Sequence, residues 1–140
     1  MEIPSRERLI LIIDDRPDHR RTIAQVFQES SLAVEIETLS PDAPLLERLH
    51  RQENYSHRPR PDLILLDIER GYELLQAIKA DPTLRRIPTI VLSTKGEQAL
   101  NSYQLQCNSY VIKPESLTQL MATIRTIESF WLHIVTLPQE

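Results

Sequence analysis

Glycine, cysteine and positive charge are all scarce in this chain of 140 residues. Gly71 and Gly96 are its only glycines, which excludes a Gly-rich phosphate loop or a dinucleotide fingerprint, since both need several glycines at fixed spacing. The single cysteine, Cys107, excludes an internal disulfide framework and fits a reducing compartment. With no catalytic signature around it, Cys107 reads as a small, partly buried hydrophobe. A formal net charge of -4 removes any global electrostatic case for nucleic-acid binding. The basic clusters, Arg16 with His19-Arg20-Arg21 and Arg58-Pro59-Arg60, are small and read as solvated surface or part of a partner-docking face. The amino terminus has no apolar signal core and no window approaches a membrane span, so a cytoplasmic location is expected. The four histidines lack metal-ligand spacing and read as surface or packing residues.

What the chain does have is a series of short apolar runs, each ending in a chemically active residue. Leu63-Ile64-Leu65-Leu66 follows Asp62 and leads straight into Asp67, and a continuous run of this kind reads as a strand buried on both faces. Leu9-Ile10-Leu11-Ile12-Ile13 ends likewise in Asp14-Asp15. Pro17 then stands at a helix start, and Ile23, Val26 and Phe27 recur at helical spacing. Residues 33–38 alternate partly and read as a strand nearer the edge. Ser40-Pro41-Asp42 reads as the start of a second helix with Leu45, Leu46 and Leu49 as its buried stripe. Residues 52–61 are polar and form a surface loop.

Tyr72, Leu74, Leu75 and Ile78 mark a third helix that stops near Asp81-Pro82. Thr89-Ile90-Val91-Leu92 is a fourth strand ending in Ser93-Thr94, and a helix carrying Ala99, Leu100 and Tyr103 follows Gly96. Ser109-Tyr110-Val111-Ile112 is a fifth strand ending in Lys113-Pro114, and the last helix places Leu117, Leu120, Met121, Ile124 and Ile127 on one face. Five alternations with short connections predict a doubly wound, flavodoxin-like α/β fold with a five-stranded parallel sheet. One domain over residues 1–140 is expected, with its core at about 9–127 and a helix end and tail at 128–140.

In such a sheet Asp14, Asp15, Asp67, Ser93, Thr94 and Lys113 all fall on the carboxyl edge, where open α/β sheets bind ligands. Asp67 alone could be no more than a turn or cap residue. Three converging carboxylates, however, repel one another, and a hard divalent cation such as Mg²⁺ relieves this with oxygen ligands. A lysine supplies a compact positive charge and a hydroxyl supplies a hydrogen bond. Together these groups describe phosphoryl transfer onto an aspartate.

The sequence resembles the receiver domain of two-component response regulators from Leu9 to about Ile127. The resemblance rests on Asp14-Asp15, Leu65-Leu66-Asp67, Ser93-Thr94 and Tyr110-Val111-Ile112-Lys113-Pro114. Arg58-Pro59-Arg60-Pro61, Leu84-Arg85-Arg86-Ile87-Pro88 and the tail from Ile127 to Pro138 are similar to single-domain regulators paired with cyanobacterial phytochromes. The resemblance implies that Asp67 is the phosphoacceptor for a sensor histidine kinase. It implies that Asp15 and Asp67 bind Mg²⁺ directly, that Asp14 acts through water, and that the backbone carbonyl of Glu69 is a further ligand. Ser93 would hydrogen-bond the phosphoryl group, Lys113 would pair with it, and Tyr110 would be a switch aromatic. Lys113-Pro114 resembles the family's cis peptide position.

One departure stands out: Asp67 is followed by Ile68-Glu69-Arg70 and already Gly71, several residues short of the family pattern. An altered or inactive site is therefore an alternative expectation, with the chain acting as a phosphorylation-independent interaction module. Arg70 is either a replacement cation or exposed surface. An aspartate-nucleophile phosphatase of the haloacid dehalogenase type is disfavoured, because Asp67 lacks that class's following Asp-x-Thr/Val. Phe130, Trp131, Leu132, Ile134, Val135 and Leu137 form an apolar tail that reads as an interface or as a segment folded back on its own domain. The resemblance favours a homodimer through the helix after Gly96, the fifth strand, the last helix and this tail. With no output domain in 140 residues, output is expected through a downstream protein or altered dimerisation.

Overall fold

The computed structural model describes residues 7–94 and 107–138. The expected helix with Ala99, Leu100 and Tyr103 lies outside these residues. Five strands form one parallel sheet: β1 (Arg8–Ile13), β2 (Val34–Leu39), β3 (Leu63–Asp67), β4 (Thr89–Ser93) and β5 (Ser109–Ile112). Their order is β2-β1-β3-β4-β5, the doubly wound arrangement expected from the sequence. The described helices are α1 (Pro17–Gln28), α2 (Leu45–Leu49), α3 (Ile68–Ala80) and α4 (Leu117–Glu128), and a π-helical turn (Ser129–Ile134) follows α4.

Period-two alternation along the strands builds two cores, one on each face of the sheet. Leu11, Ile13, Ile64, Leu66 and Val91 face Leu74, Leu75 and Ile78 of α3. Ile10, Ile12, Leu63, Leu65, Ile90 and Leu92 face Ile23, Val26 and Phe27 of α1 and Leu120, Ile124 and Ile127 of α4. Each such side chain, removed fully from water, stabilises the fold by about 1.5–3 kcal/mol. At the start of β3, Asp62 extends the pairing: its N–H donates to the Leu9 carbonyl at 2.8 Å and its Oδ2 accepts from the Leu9 N–H at 2.8 Å.

Helix α2 differs from expectation. Residues 40–43 form a turn, and the helix starts only after Pro44, so Leu46 is 42% exposed rather than part of a buried stripe. The side chain buried there is Arg48, at 0% exposure. It meets the Glu37 carboxylate through Nε at 2.7 Å and Nη2 at 2.8 Å, and Nη2 also donates to the Pro59 carbonyl at 3.0 Å. Arg58 joins from the loop, with Nη2 at 2.8 Å from Glu37 and 2.9 Å from Glu35. Burial pushes the Glu37 carboxyl up, but the two guanidinium groups outweigh it and hold the group below its ordinary range.

The tail also resolves residue by residue. Leu137 is buried at 5% exposure, and Trp131 and Leu132 pack against the α1–α4 core, while Phe130 and Ile134 stay 47% and 70% exposed. Glu128 fastens this segment, since its Oε1 accepts from Ser30 Oγ and lies 2.7 Å from His133 Nε2.

Gly71 lies where α3 crosses β3. A Cβ there would stand 2.5 Å from Leu66 Cδ1 and 2.9 Å from its Cγ, and the fully buried Leu66 has no room to withdraw. Gly71→Ala is expected to lower stability by about 1 kcal/mol, as overpacking of about 1–3 kcal/mol outweighs a helix-propensity gain of about 1. Urea midpoints of the two proteins measure this, and an unchanged or higher midpoint would show that Leu66 gives way.

Candidate functional site

The parallel register sets the ends of β1, β3, β4 and β5 side by side. Ile13 pairs with Leu66, Asp67 with Leu92, and Ser93 with Ile112, so the residues that follow emerge at one level. There Asp14, Asp15 and Asp67 each offer a carboxylate oxygen, all within 4.8 Å of one another. Asp14 and Asp67 are buried and Asp15 is exposed. The start of α1 fixes Asp14: its Oδ1 accepts from the Arg16 N–H at 3.0 Å, and its carbonyl accepts from Arg20 Nη1.

Lys113 supplies the balancing charge. Its Nζ lies 2.5 Å from Asp14 Oδ2 and 3.2 Å from Asp67 Oδ2, and all three side chains are buried. Its backbone N–H donates to the Ser93 carbonyl at 2.6 Å, which carries the β4–β5 ladder one residue beyond the strand and aims the lysine at the carboxylates. Ser93 is buried beside it and Tyr110 is half-buried on β5. No cis peptide bond occurs among the described residues, so Lys113–Pro114 is trans where cis was expected; before proline either isomer is accessible.

Burial raises the Asp67 carboxyl above its ordinary value. Lys113 and the Glu69 N–H pull it down, and the Asp14 charge adds to the rise. The donor set fits a hard divalent cation, because it consists of carboxylate oxygens with the exposed Asp15 at its mouth. A cation there would share Asp14 and Asp67 with the Lys113 amine.

Glu69, whose backbone carbonyl was the expected further ligand, lies in the first turn of α3. No loop separates Asp67 from α3: Asp67 is itself the N-cap, and its Oδ1 accepts from the Glu69 N–H at 3.0 Å. In an α-helix the N–H groups point back to the N-terminus and the carbonyls point away from it, so Glu69 turns its N–H toward Asp67. Its side chain reaches the end of β4 instead, where Glu69 Oε1 accepts from the Thr94 hydroxyl and from the Thr94 N–H at 3.3 Å. The side chain of Arg70 lies outside the described part of the structure.

His19 was missed. It is buried on α1 close to the charge cluster, and its Nδ1 has no hydrogen-bond partner among the described residues. Burial lowers its pKa, Lys113 and Arg16 lower it further, and Asp14 and Asp18 oppose them. Its position was legible, because His19 precedes Ile23 by four residues on the buried stripe of α1.

The fold and the carboxylate–lysine cluster at the sheet's carboxyl edge define a receiver-type domain. Residues 10–125 match the response regulator receiver domain model, and the chain belongs to that family. It is 36% identical over 137 residues to response regulator Rcp1 of Synechocystis sp., covering 94% of this chain and 93% of that protein. The crystal structure of the phosphorylated cyanobacterial phytochrome response regulator RcpA is similar with a TM-score of 0.91 at 36% identity, over 96% of this chain and 100% of that one. The Mn²⁺-bound form of Rcp1 matches with a TM-score of 0.84 at 35% identity, over 94% and 99% of the two chains. Among the described residues, no helix is long and apolar enough to cross a membrane.

The raised pKa of Asp67 has a consequence for stability. Its contribution is fully present below the ordinary carboxyl value of 3.8 and is lost as pH rises through the folded-state value. Asp67→Asn keeps a capping oxygen but carries no charge, so it is expected to be more stable than the parent at neutral pH. The gap should close as the pH approaches 3.8. Urea denaturation across that range tests this, and a gap independent of pH would show that Asp67 ionisation does not oppose folding.

Proposed function

We propose that this protein is a phosphorylatable switch of a two-component system, accepting a phosphoryl group on Asp67 from a sensor histidine kinase of the phytochrome type. The observation that carries the reading is the Asp67 carboxylate held beside Asp14, Asp15 and the Lys113 amine at one sheet edge. An oxygen of Asp67 attacks the phosphorus of a phosphohistidine. The P–N bond breaks, its electron pair leaves with the imidazole, and an acyl phosphate remains. Asp14, Asp15 and Asp67 would hold Mg²⁺, which when bound neutralises phosphoryl charge. The Lys113 ammonium pairs with the phosphoryl oxygens, and the Ser93 hydroxyl donates to one of them. Tyr110 then couples the Ser93 segment to the surface formed by β5 and α4. No turnover substrate is involved, and Mn²⁺ in the Rcp1 structure supports a divalent ion at the equivalent cluster.

Intact mass after treatment with acetyl phosphate and Mg²⁺ tests this. One phosphoryl adduct is expected, absent in Asp67→Asn and without Mg²⁺. A folded protein that takes no adduct from either acetyl phosphate or a cognate kinase would favour the phosphorylation-independent module. The tight Lys113–Asp14 pair and the lack of a loop between Asp67 and α3 are what speak for that second reading.

We also propose a homodimer, formed through β5, α4 and the tail. Ile112, Leu117, Phe130 and Ile134 are exposed on these elements, and a second copy would cover them. Leu137 belongs to the monomer core, and Trp131 and Leu132 contribute to it, so the interface falls chiefly to Phe130 and Ile134, with Val135 half-buried beside them. Sedimentation should show a dimer that Ile134→Glu weakens at least tenfold, about 1.4 kcal/mol. A parent protein that stays monomeric at high micromolar concentration rules the dimer out.

A further inference from the structure

Asp67 has two roles in this chain that a loop would normally keep apart. It ends β3 as the candidate phosphoacceptor, and it is the residue whose side chain caps α3. Both carboxylate oxygens are engaged: Oδ1 accepts from the Glu69 N–H at 3.0 Å, and Oδ2 faces Lys113 Nζ at 3.2 Å. The residue whose N–H donates the cap bond also holds the end of β4, since the Glu69 carboxylate accepts from the Thr94 hydroxyl and N–H. One residue, Glu69, therefore touches the acceptor with its backbone and the neighbouring strand end with its side chain.

We propose that phosphorylation of Asp67 is read directly on the first turn of α3, with Glu69 as the positioning residue that carries the change to Thr94. The proposal rests on Asp67 being the phosphoacceptor. Two effects of acylation act on Glu69 in the same direction. The capping oxygen changes from a carboxylate oxygen to an uncharged carbonyl or ester oxygen, and hydrogen bonds to ionised acceptors are about twice as strong as neutral ones. The phosphoryl group also adds negative charge to an acceptor two residues before Glu69, and like charges repel. The first turn loses its charged cap while its side chain is driven from Thr94. No intervening loop absorbs the motion, because α3 begins at Ile68.

Hydrogen–deuterium exchange on the full chain, with and without Mg²⁺ and beryllium fluoride, tests this. Beryllofluoride binds a receiver carboxylate in place of the phosphoryl group, and fluorine NMR reports its occupancy independently. With the adduct formed, amides over 68–71 are expected to exchange about fivefold faster, the scale of a lost N-cap, and the Thr94 amide should quicken with them. Asp67→Ala should reproduce the acceleration without fluoride. Asp67→Asn, whose capping oxygen is likewise uncharged, should quicken the 68–71 amides less than the Asp67→Ala change does and should ignore fluoride. Adduct formation with exchange at 68–71 unchanged or slower overturns the coupling and leaves the phosphoacceptor reading intact. No adduct in the folded parent overturns that reading, and the coupling with it. If Asp67→Ala does not fold, the parent with and without fluoride decides alone.

Discussion

Two carboxylates and one ammonium share a site closed to solvent, and the rest of the carboxyl edge is arranged around that fact. Removing Asp14, Asp67 and Lys113 from water costs several kcal/mol per ion, which is recovered only if each charge is fully partnered. Asp14 is accordingly held by the Arg16 N–H, by its own carbonyl's contact with Arg20, and by Lys113. Asp67 is held by the Glu69 N–H and Lys113. Lys113 reaches both because its backbone is tied to Ser93. The apolar strands beneath provide rigidity, so that a small displacement of any one charge is felt by the other two.

The direct entry from β3 into α3 reshapes this site relative to the family pattern. A longer loop would offer a backbone carbonyl toward the carboxylates. Here the helix offers an N–H, which suits an anion and not a cation. The Gly71 contact with Leu66 shows how closely the helix must lie on the strand to start so early.

Much of this was legible in the sequence, for physical reasons. Continuous branched runs can only be buried on both faces, and their acidic or basic ends then share an edge, which located Asp14, Asp67, Ser93 and Lys113. The early start of α3 was not foreseen because the shortened segment was counted as a reduced loop, when Asp67 is a strong N-cap and the helix begins at Ile68. Leu46 lost its expected burial because Pro44 delays α2, and Arg48 is buried on this helix because its guanidinium has a bidentate carboxylate partner. His19 escaped notice because its environment is made by β5 and α1 together, across 94 residues from His19 to Lys113.

The π-helical turn after α4 decides what the tail is for. Continued as a regular α-helix, the stripe of Leu120, Ile124 and Ile127 would pass through Trp131 and Ile134, and both would sink into the monomer. Widening one turn to a spacing of five, which the Glu128–His133 pair spans, rotates the following residues out of phase. Trp131 stays with the core while Ile134 swings to solvent. A change of helical pitch over six residues thus divides one greasy stripe into an inner half and an outer half. Which of these apolar residues the fold covers and which it leaves to solvent is written in backbone winding more than in residue choice.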